Sequence, residues 1–99
     1  MKVALSRDAQ ADLRAIARWI AKDNPARALS FPAELREKCM GLSRYPRRFP
    51  VVVRLGEHDI RKRVHRDYMI FYRVLGTQIE VLQIVHASMD WAVKLAPPE

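Results

Sequence analysis

The sequence predicts an α+β protein with the element order β-α-α-β-β-β, in which a helical hairpin packs on one face of an antiparallel β-meander sheet. Three observations support this prediction. The first half of the chain has helix caps and helical spacing of apolar residues, the composition from Val51 onward changes to β-branched and aromatic residues, and two short turns divide that second half into three runs. The 99 residues fit one domain over residues 1–99.

A short strand and a first helix are expected at the start of the chain. Residues 3–5 form a brief apolar segment, and a helical hairpin after it provides the crossover that a parallel strand neighbour requires. Ser6 is a candidate N-cap, and Asp8 falls in the first turn, where an anion suits the helix dipole. The helix is expected to end near Lys22. Its apolar stripe consists of Ala9, Leu13, Ile16, Ala17 and Ile20.

A second helix follows almost at once. Asn24 can cap it and Pro25 suits its first position. Pro32 lies inside the pattern, so we expect a kink there or a late helix start. Residues 44–50 contain three arginines and two prolines and are expected to form an exposed basic loop. The apolar pattern of this helix consists of Ala28, Leu29, Leu35, Cys39 and Leu42.

Three consecutive strands are predicted in the second half. They cover residues 60–65, 68–75 and 78–86, joined by turns at Arg66-Asp67 and Gly76-Thr77. Residues 51–54 are expected either to add a strand or to lead into the sheet. The last two strands are apolar on both faces, so one face is expected to pack on the helices and the other to be covered or to form a groove for a partner.

Counting outward from the two-residue turns assigns strand residues to faces. This counting places Lys62, Arg73 and His86 together on one face. Arg73 also lies opposite Glu80, which favours a cross-strand ion pair as its role. The opposite face carries Arg61, Arg63, His65, Tyr68 and Val85.

Composition and charge limit the classes of function. Hydrophobic residues make up 49% and charged residues 29%, which excludes a disordered chain. The formal net charge is +7, and residues 44–73 hold nine basic and three acidic residues, so an acidic or polyanionic partner is expected. A single cysteine, Cys39, predicts a reducing compartment. No long apolar run or signal peptide is evident, so a cytoplasmic protein without membrane contact is expected.

Few patterns point to catalysis or to a cofactor. The histidines at 58, 65 and 86 lack the spacing of metal ligands, and there is no Gly-rich phosphate loop, so we expect no metal and no cofactor. The strongest local signal is the basic run over residues 61–66, because guanidinium groups match phosphate and carboxylate geometry. A charge-guarded edge strand is the alternative explanation. His86 is either a general acid or base or a residue that caps the sheet end.

Five motifs, together with the order of elements, resemble the ParE/RelE toxins of bacterial type II toxin–antitoxin systems. The resemblance spans nearly the whole chain and implies a small basic cytoplasmic toxin, neutralised by a ParD-like antitoxin that wraps over a groove. The segments that carry the resemblance are residues 23–26, 45–50, 61–65, 68–74 and 85–90.

The two branches of that superfamily imply different targets. The RelE branch cleaves messenger RNA on the ribosome with cationic side chains on the sheet, and the ParE branch poisons DNA gyrase. Where a RelE-type enzyme has cations, this chain has Ile60, Met69 and Met89, and only Lys62 remains. No tyrosine follows position 72. The resemblance therefore favours a gyrase inhibitor without catalytic residues.

A RelE-like endoribonuclease is the alternative, and its catalytic candidates would be Lys62, Arg73 and His86. Plain nucleic-acid binding by the basic strand ranks third, because no recognition helix or aromatic stacking platform is evident. In the favoured interpretation the partners are the antitoxin and gyrase, and nucleic acid is contacted only indirectly through the toxin–antitoxin complex. The candidate partner-binding residues are Arg61, Arg63, His65, Met69, Phe71 and Arg73.

Overall fold

The computed structural model describes residues 1–89, and it confirms the predicted α+β architecture. The three meander strands have the predicted bounds, and residues 51–53 add a short further strand. Two short 3₁₀ helices, Gly41–Ser43 and Gly56–His58, lie before and after this short strand. The helices and strands are β1 (Lys2–Leu5), α1 (Arg7–Ala21), α2 (Pro25–Met40), β2 (Val51–Val53), β3 (Ile60–His65), β4 (Tyr68–Leu75) and β5 (Gln78–His86).

The five strands form one sheet in the order β1-β5-β4-β3-β2. β1 runs parallel to β5, as predicted, because the helical hairpin between them carries the chain back across the sheet. All other pairs are antiparallel. α1 and α2 pack on one face of this sheet. Neither helix in residues 1–89 is long and apolar enough to cross a bilayer.

The second helix differs from its prediction in two ways. It begins at Pro25, capped by Asn24, and runs unbroken through Pro32, so the predicted late start is wrong. Leu29, which belongs to the apolar pattern of the sequence, is 81% exposed, whereas Phe31, which that pattern omits, is only 6% exposed. Positions 28, 31, 35 and 39 form the buried stripe. Packing of this stripe against the sheet outweighs the hydrogen bond that Pro32 cannot donate.

A core lies between the helices and the sheet, and it contains Cys39. The thiol of Cys39 is fully buried, and burial raises its pKa to about 12, so the thiol stays protonated at neutral pH. We call the apolar cluster between the helices and the sheet the helix-side core. Its buried members are Ala9, Leu13, Ile16, Phe31, Leu35, Cys39, Leu42, Ile70, Tyr72, Ile79, Val81 and Ile84.

A second, smaller apolar cluster lies on the other face of the sheet. The side chains of Val52, Val53 and Leu82 pack against it and are partly buried. The predicted apolar character of both faces is therefore confirmed. The buried members of this second cluster are Ile60, Met69, Phe71 and Val85.

A β-bulge in β5 changes the register that the turns predict. The register predicted by counting from the β4–β5 turn is correct as far as Tyr72, which lies opposite Val81. The next residue of β4, Phe71, lies opposite Gln83, so Leu82 is an extra residue in β5. Because strand side chains alternate between faces, one extra residue reverses the faces of everything after it.

The bulge makes the predicted faces of the last β5 residues wrong. Ile84 belongs to the helix-side core and Val85 to the second cluster, the reverse of the prediction. His86 lies opposite Tyr68, which packs against the helix-side core. His86 therefore lies on the helix side of the sheet.

Ser6 organises the backbone at the bulge. Its N–H donates to the carbonyl of Val81 at 2.9 Å, and its Oγ donates to the carbonyl of Leu82 at 2.7 Å. The same Oγ accepts the N–H of Ala9 at 3.0 Å as the N-cap of α1. One serine therefore ends β1, begins α1 and satisfies two carbonyl groups at the bulge.

Candidate partner-binding surfaces

The arginines of β3 bind backbone carbonyl groups of the same chain. Arg61 Nη1 donates to the carbonyl oxygens of Arg47 at 3.0 Å and Phe49 at 2.7 Å. Arg63 Nη1 donates to the carbonyl of Lys38 at 3.0 Å, near the end of α2. Arg63 therefore holds the end of α2 against the sheet and Arg61 holds the chain that follows it, a structural role that their sequence spacing did not indicate. Partner binding by Arg61 and Arg63 stays a prediction.

The loop of residues 44–50, which we call the basic loop, is also held at a third carbonyl, by a side chain of β4. The hydroxyl of Tyr72 donates to the carbonyl of Pro46 at 2.7 Å. The ring of Tyr72 is fully buried, and this burial raises the pKa of its hydroxyl. The neutral hydroxyl is thus kept as a donor. The basic loop is exposed as predicted, but its backbone is fastened at Pro46, Arg47 and Phe49.

Glu34 on α2 is the centre of a charged cluster at the opposite end of β3. Its carboxylate lies 2.6 Å from His65 Nε2, 3.0 Å from Arg27 Nη1 and 4.0 Å from Arg66 Nε. The hydrogen bond with His65, followed by that with Arg27, lowers the pKa of Glu34. His65 was predicted to bind a partner, and in the structure it joins α2 to β3.

We expect Glu34→Gln to reduce the loss of stability that the protein shows in acid. A lowered carboxyl pKa in the folded state stabilises the fold above the unfolded-state pKa, and this stabilisation is lost as the pH falls through the folded-state pKa. The urea midpoint of the wild type should therefore fall more steeply between about pH 5 and pH 3 than that of Glu34→Gln. Glu37→Gln, on the exposed side of the same helix, is the matched control and should behave as the wild type. Equal pH dependence in all three proteins would contradict the prediction.

On the face opposite the helices, the predicted binding residues are mostly buried or paired. Met69 is 6% exposed and Phe71 is fully buried, both within the second cluster. Arg73 binds Glu80, with Nη2 at 2.8 Å and Nε at 2.9 Å from one carboxylate oxygen, which is the cross-strand pair that the register predicts. Lys62 lies on this same face, opposite Phe71.

His86 lies on the other side of the sheet from Lys62 and Arg73. Its ring meets the ring of Tyr68 edge to face at 5.1 Å, and its Nδ1 accepts the N–H of Ser88 at 3.1 Å. The prediction that Lys62, Arg73 and His86 share one face is therefore wrong, because the bulge at Leu82 reverses the position of His86. These three side chains do not line a common site.

An apolar groove of about 460 Å³ runs between α1 and the end of β5. Ile16 and Trp19 form its helical wall, and Tyr68, Ile84 and His86 form its floor. Trp19 is 67% exposed, a large apolar surface for one residue on a helix. Sequence spacing did not identify this groove, because Trp19 lies off the apolar stripe of α1.

No group of three or more His, Cys, Asp or Glu residues within residues 1–89 has the arrangement of a metal site.

Comparisons with known proteins identify the family. The ParE toxin family of the type II toxin–antitoxin system, parDE, matches residues 3–91. Among solved structures, the chromosomal ParDE TA system from P. aeruginosa has a similar fold, with a TM-score of 0.70 and 21% sequence identity over 87% of this chain and 95% of that chain. None of the curated proteins matches this chain. Because the family match covers nearly all of the chain, the protein belongs to the ParE toxin family of type II toxin–antitoxin systems.

Proposed function

We propose that this ParE-family toxin inhibits DNA gyrase as a binding protein and is neutralised by a ParD-like antitoxin. The observation that carries the choice of target is the position of His86, on the opposite side of the sheet from Lys62 and Arg73. Family membership supports the toxin role and the existence of an antitoxin.

The separation of these side chains argues against ribonuclease chemistry. Metal-free RNA cleavage needs a base for the 2′-hydroxyl, an acid for the leaving oxygen and cations for the developing phosphate charge, all around one phosphate. Arg73 is bound to Glu80, and Met69, where the ribonuclease branch has a cation, is buried. Lys62 is the one candidate cation left on that face. We therefore propose a mode of action that needs no catalytic residue.

The groove beside Trp19 is the proposed main contact of the antitoxin. An antitoxin segment that folds on binding needs apolar anchors, and an exposed tryptophan beside a groove is typical of an interface hot spot. Acidic groups of the antitoxin are proposed to pair with Arg61, Arg63 or Arg73, as the basic midsection predicts. Of these three, Arg73 lies on the face opposite the helices, so an antitoxin that reaches both sites must wrap around the sheet.

Induction of the chain in cells without its antitoxin tests the target. We expect DNA breaks and an SOS response with intact transcripts, and purified toxin should inhibit supercoiling by gyrase. Lys62→Met is the matched variant, because it removes the one sheet cation that a ribonuclease would retain, and it should keep full toxicity. Codon-phased transcript cleavage with undamaged DNA, abolished in Lys62→Met, would contradict the gyrase proposal and favour the endoribonuclease alternative.

Co-expression of the product of the gene adjacent to the toxin gene tests the antitoxin surface in the same cells. We expect the wild-type toxin to be neutralised and to co-purify with that protein. Trp19→Ala should remain toxic but lose at least about tenfold in affinity for the antitoxin, as truncation of an aromatic hot spot does. Leu29→Ala, which truncates an exposed apolar residue outside the groove, is the control. Equal neutralisation of all three toxins would exclude the groove as the main contact.

A further inference from the structure

Six cations gather around the end of α2 and the basic loop without an acidic partner. None of them lies within 4 Å of a carboxylate in the described part of the chain, whereas Arg27, Arg54, Arg66 and Arg73 each pair with one. Such unbalanced charge attracts anions. We call this set the cationic patch, and its members are Lys38, Arg44, Arg47, Arg48, Arg61 and Arg63.

The cationic patch is built on a rigid support. Arg61 and Tyr72 bind three carbonyl groups of the basic loop, as described above. The guanidinium carbons of Arg48 and Arg63 lie 5.6 Å and 4.9 Å from the centroid of the Phe49 ring. These contacts order the loop before any ligand arrives. A ligand therefore meets a loop that is already ordered, so less conformational entropy of the loop is lost on binding.

Four of the six members of the patch line an open cavity of about 550 Å³. Lys38, Arg44, Arg48 and Arg63 line it, and Glu37 is the one acidic residue in its wall. The ring of Tyr45, which is 67% exposed, stands at the same cavity. Guanidinium groups and an exposed aromatic ring thus lie side by side.

The chemistry of the patch favours a nucleic acid over an acidic peptide. Three of its cations, Arg44, Arg47 and Arg48, are arginines whose planar guanidinium groups can bind phosphate through two hydrogen bonds. Arg61 and Arg63 add positive charge, but their Nη1 atoms already donate to backbone carbonyls. A peptide that folds on binding needs apolar anchors, and the apolar groove that offers Trp19 shares no lining residue with this cavity. An exposed tyrosine beside phosphate-binding cations is typical of surfaces on which unpaired bases stack.

We propose that the cationic patch binds the phosphodiester backbone of a single-stranded polynucleotide, with one base stacked on Tyr45. The proposal differs from the expectation that nucleic acid is contacted only through the toxin–antitoxin complex, and it assigns Tyr45 as the aromatic platform. The proposal does not depend on gyrase being the target, since it concerns the purified toxin alone.

Fluorescence anisotropy with labelled oligonucleotides of about twelve nucleotides tests the proposal, because single-strand sites span about 4 to 16 nucleotides. Oligo-dT and oligo-rU are measured in separate titrations, and the tighter one identifies the preferred polynucleotide. Arg44→Gln/Arg48→Gln should bind at least about tenfold more weakly, and its salt slope should fall by about 1.4 for two lost phosphate contacts. Tyr45→Ala should weaken binding about tenfold without changing the slope.

The matched control is Arg14→Gln/Arg18→Gln, which removes the same charge from the exposed face of α1. It should bind oligo-dT within about twofold of the wild type. Equal losses in both double variants would overturn the proposal, because binding would then follow net charge alone. Tighter binding of a duplex than of either single strand would overturn it as well. The proposal would also be overturned if an oligo-glutamate peptide of equal charge displaced oligo-dT and Tyr45→Ala bound oligo-dT as tightly as the wild type.

Discussion

Phe31→Ala is expected to lower the free energy of unfolding by about 3 to 5 kcal/mol, the usual cost of deleting a buried aromatic side chain. The ring of Phe31 lies 5.5 Å from that of Tyr68 and 6.1 Å from that of His65, and the guanidinium of Arg27 lies 4.7 Å from its centroid. The substitution would therefore leave a cavity where α2, β3 and β4 meet. Small domains are stable by only about 5 to 15 kcal/mol, so much of the protein could be unfolded at 37 °C.

Leu29→Ala is the matched control for this experiment. Leu29 lies two residues earlier on the same helix and is 81% exposed, so its truncation should change the free energy of unfolding by less than about 0.5 kcal/mol. Urea denaturation followed by circular dichroism measures both variants. A larger loss for Leu29→Ala than for Phe31→Ala would contradict the orientation of α2 described here.

Arg61→Met is expected to loosen the basic loop while the sheet remains folded. The variant loses both hydrogen bonds from Nη1 to the carbonyls of Arg47 and Phe49. A hydrogen bond from a charged donor contributes about 1.5 to 3 kcal/mol, so opening of the loop should become at least about tenfold more favourable. Trypsin cleaves after arginine, and the loop itself contains Arg44, Arg47 and Arg48. Cleavage within residues 44–50 should accelerate accordingly.

Arg54→Met is the control for the loop experiment. The side chain of Arg54 is 84% exposed and lies 3.9 Å from Asp59, an exposed ion pair of the kind that contributes little. Its loss should leave the rate of loop cleavage within about twofold of the wild type. Mass spectrometry of the early fragments identifies the site of cleavage. An unchanged rate in Arg61→Met would show that Tyr72 and the prolines hold the loop without Arg61.

The local elements could be predicted from sequence because their signals are local. Ser6 and Asn24 begin the helices as N-caps, and the Arg66-Asp67 and Gly76-Thr77 turns separate the meander strands at the predicted positions. Caps and tight turns depend on residues within a few positions of each other, so one stretch of sequence contains the whole signal. The same locality explains why β1 and the short β2 were found from brief apolar runs.

The errors concern contacts between distant residues. Leu29 and Phe31 are both apolar, and only the position of the sheet decides that Phe31 faces inward. Strand counting placed His86 beside Lys62 and Arg73, and the bulge at Leu82 separates them. The bulge forms where Ser6, 76 residues away in sequence, binds the carbonyl of Leu82. A turn cannot encode such a contact.

The sequence by itself determined the α+β class, the order of elements, the positive charge and the likeness to ParE toxins. Only the tertiary structure decided which charges are free to bind a partner. In the sequence, Arg61 and Arg63 have the pattern of exposed strand cations, yet both donate hydrogen bonds to backbone carbonyls. The basic loop that Arg61 holds carries the arginines that have no ion-pair partner among residues 1–89. The physical reason is that a backbone carbonyl accepts hydrogen bonds from a guanidinium just as an acceptor on a partner would. The packing of α2 and the basic loop on the sheet decides which carbonyls come within reach.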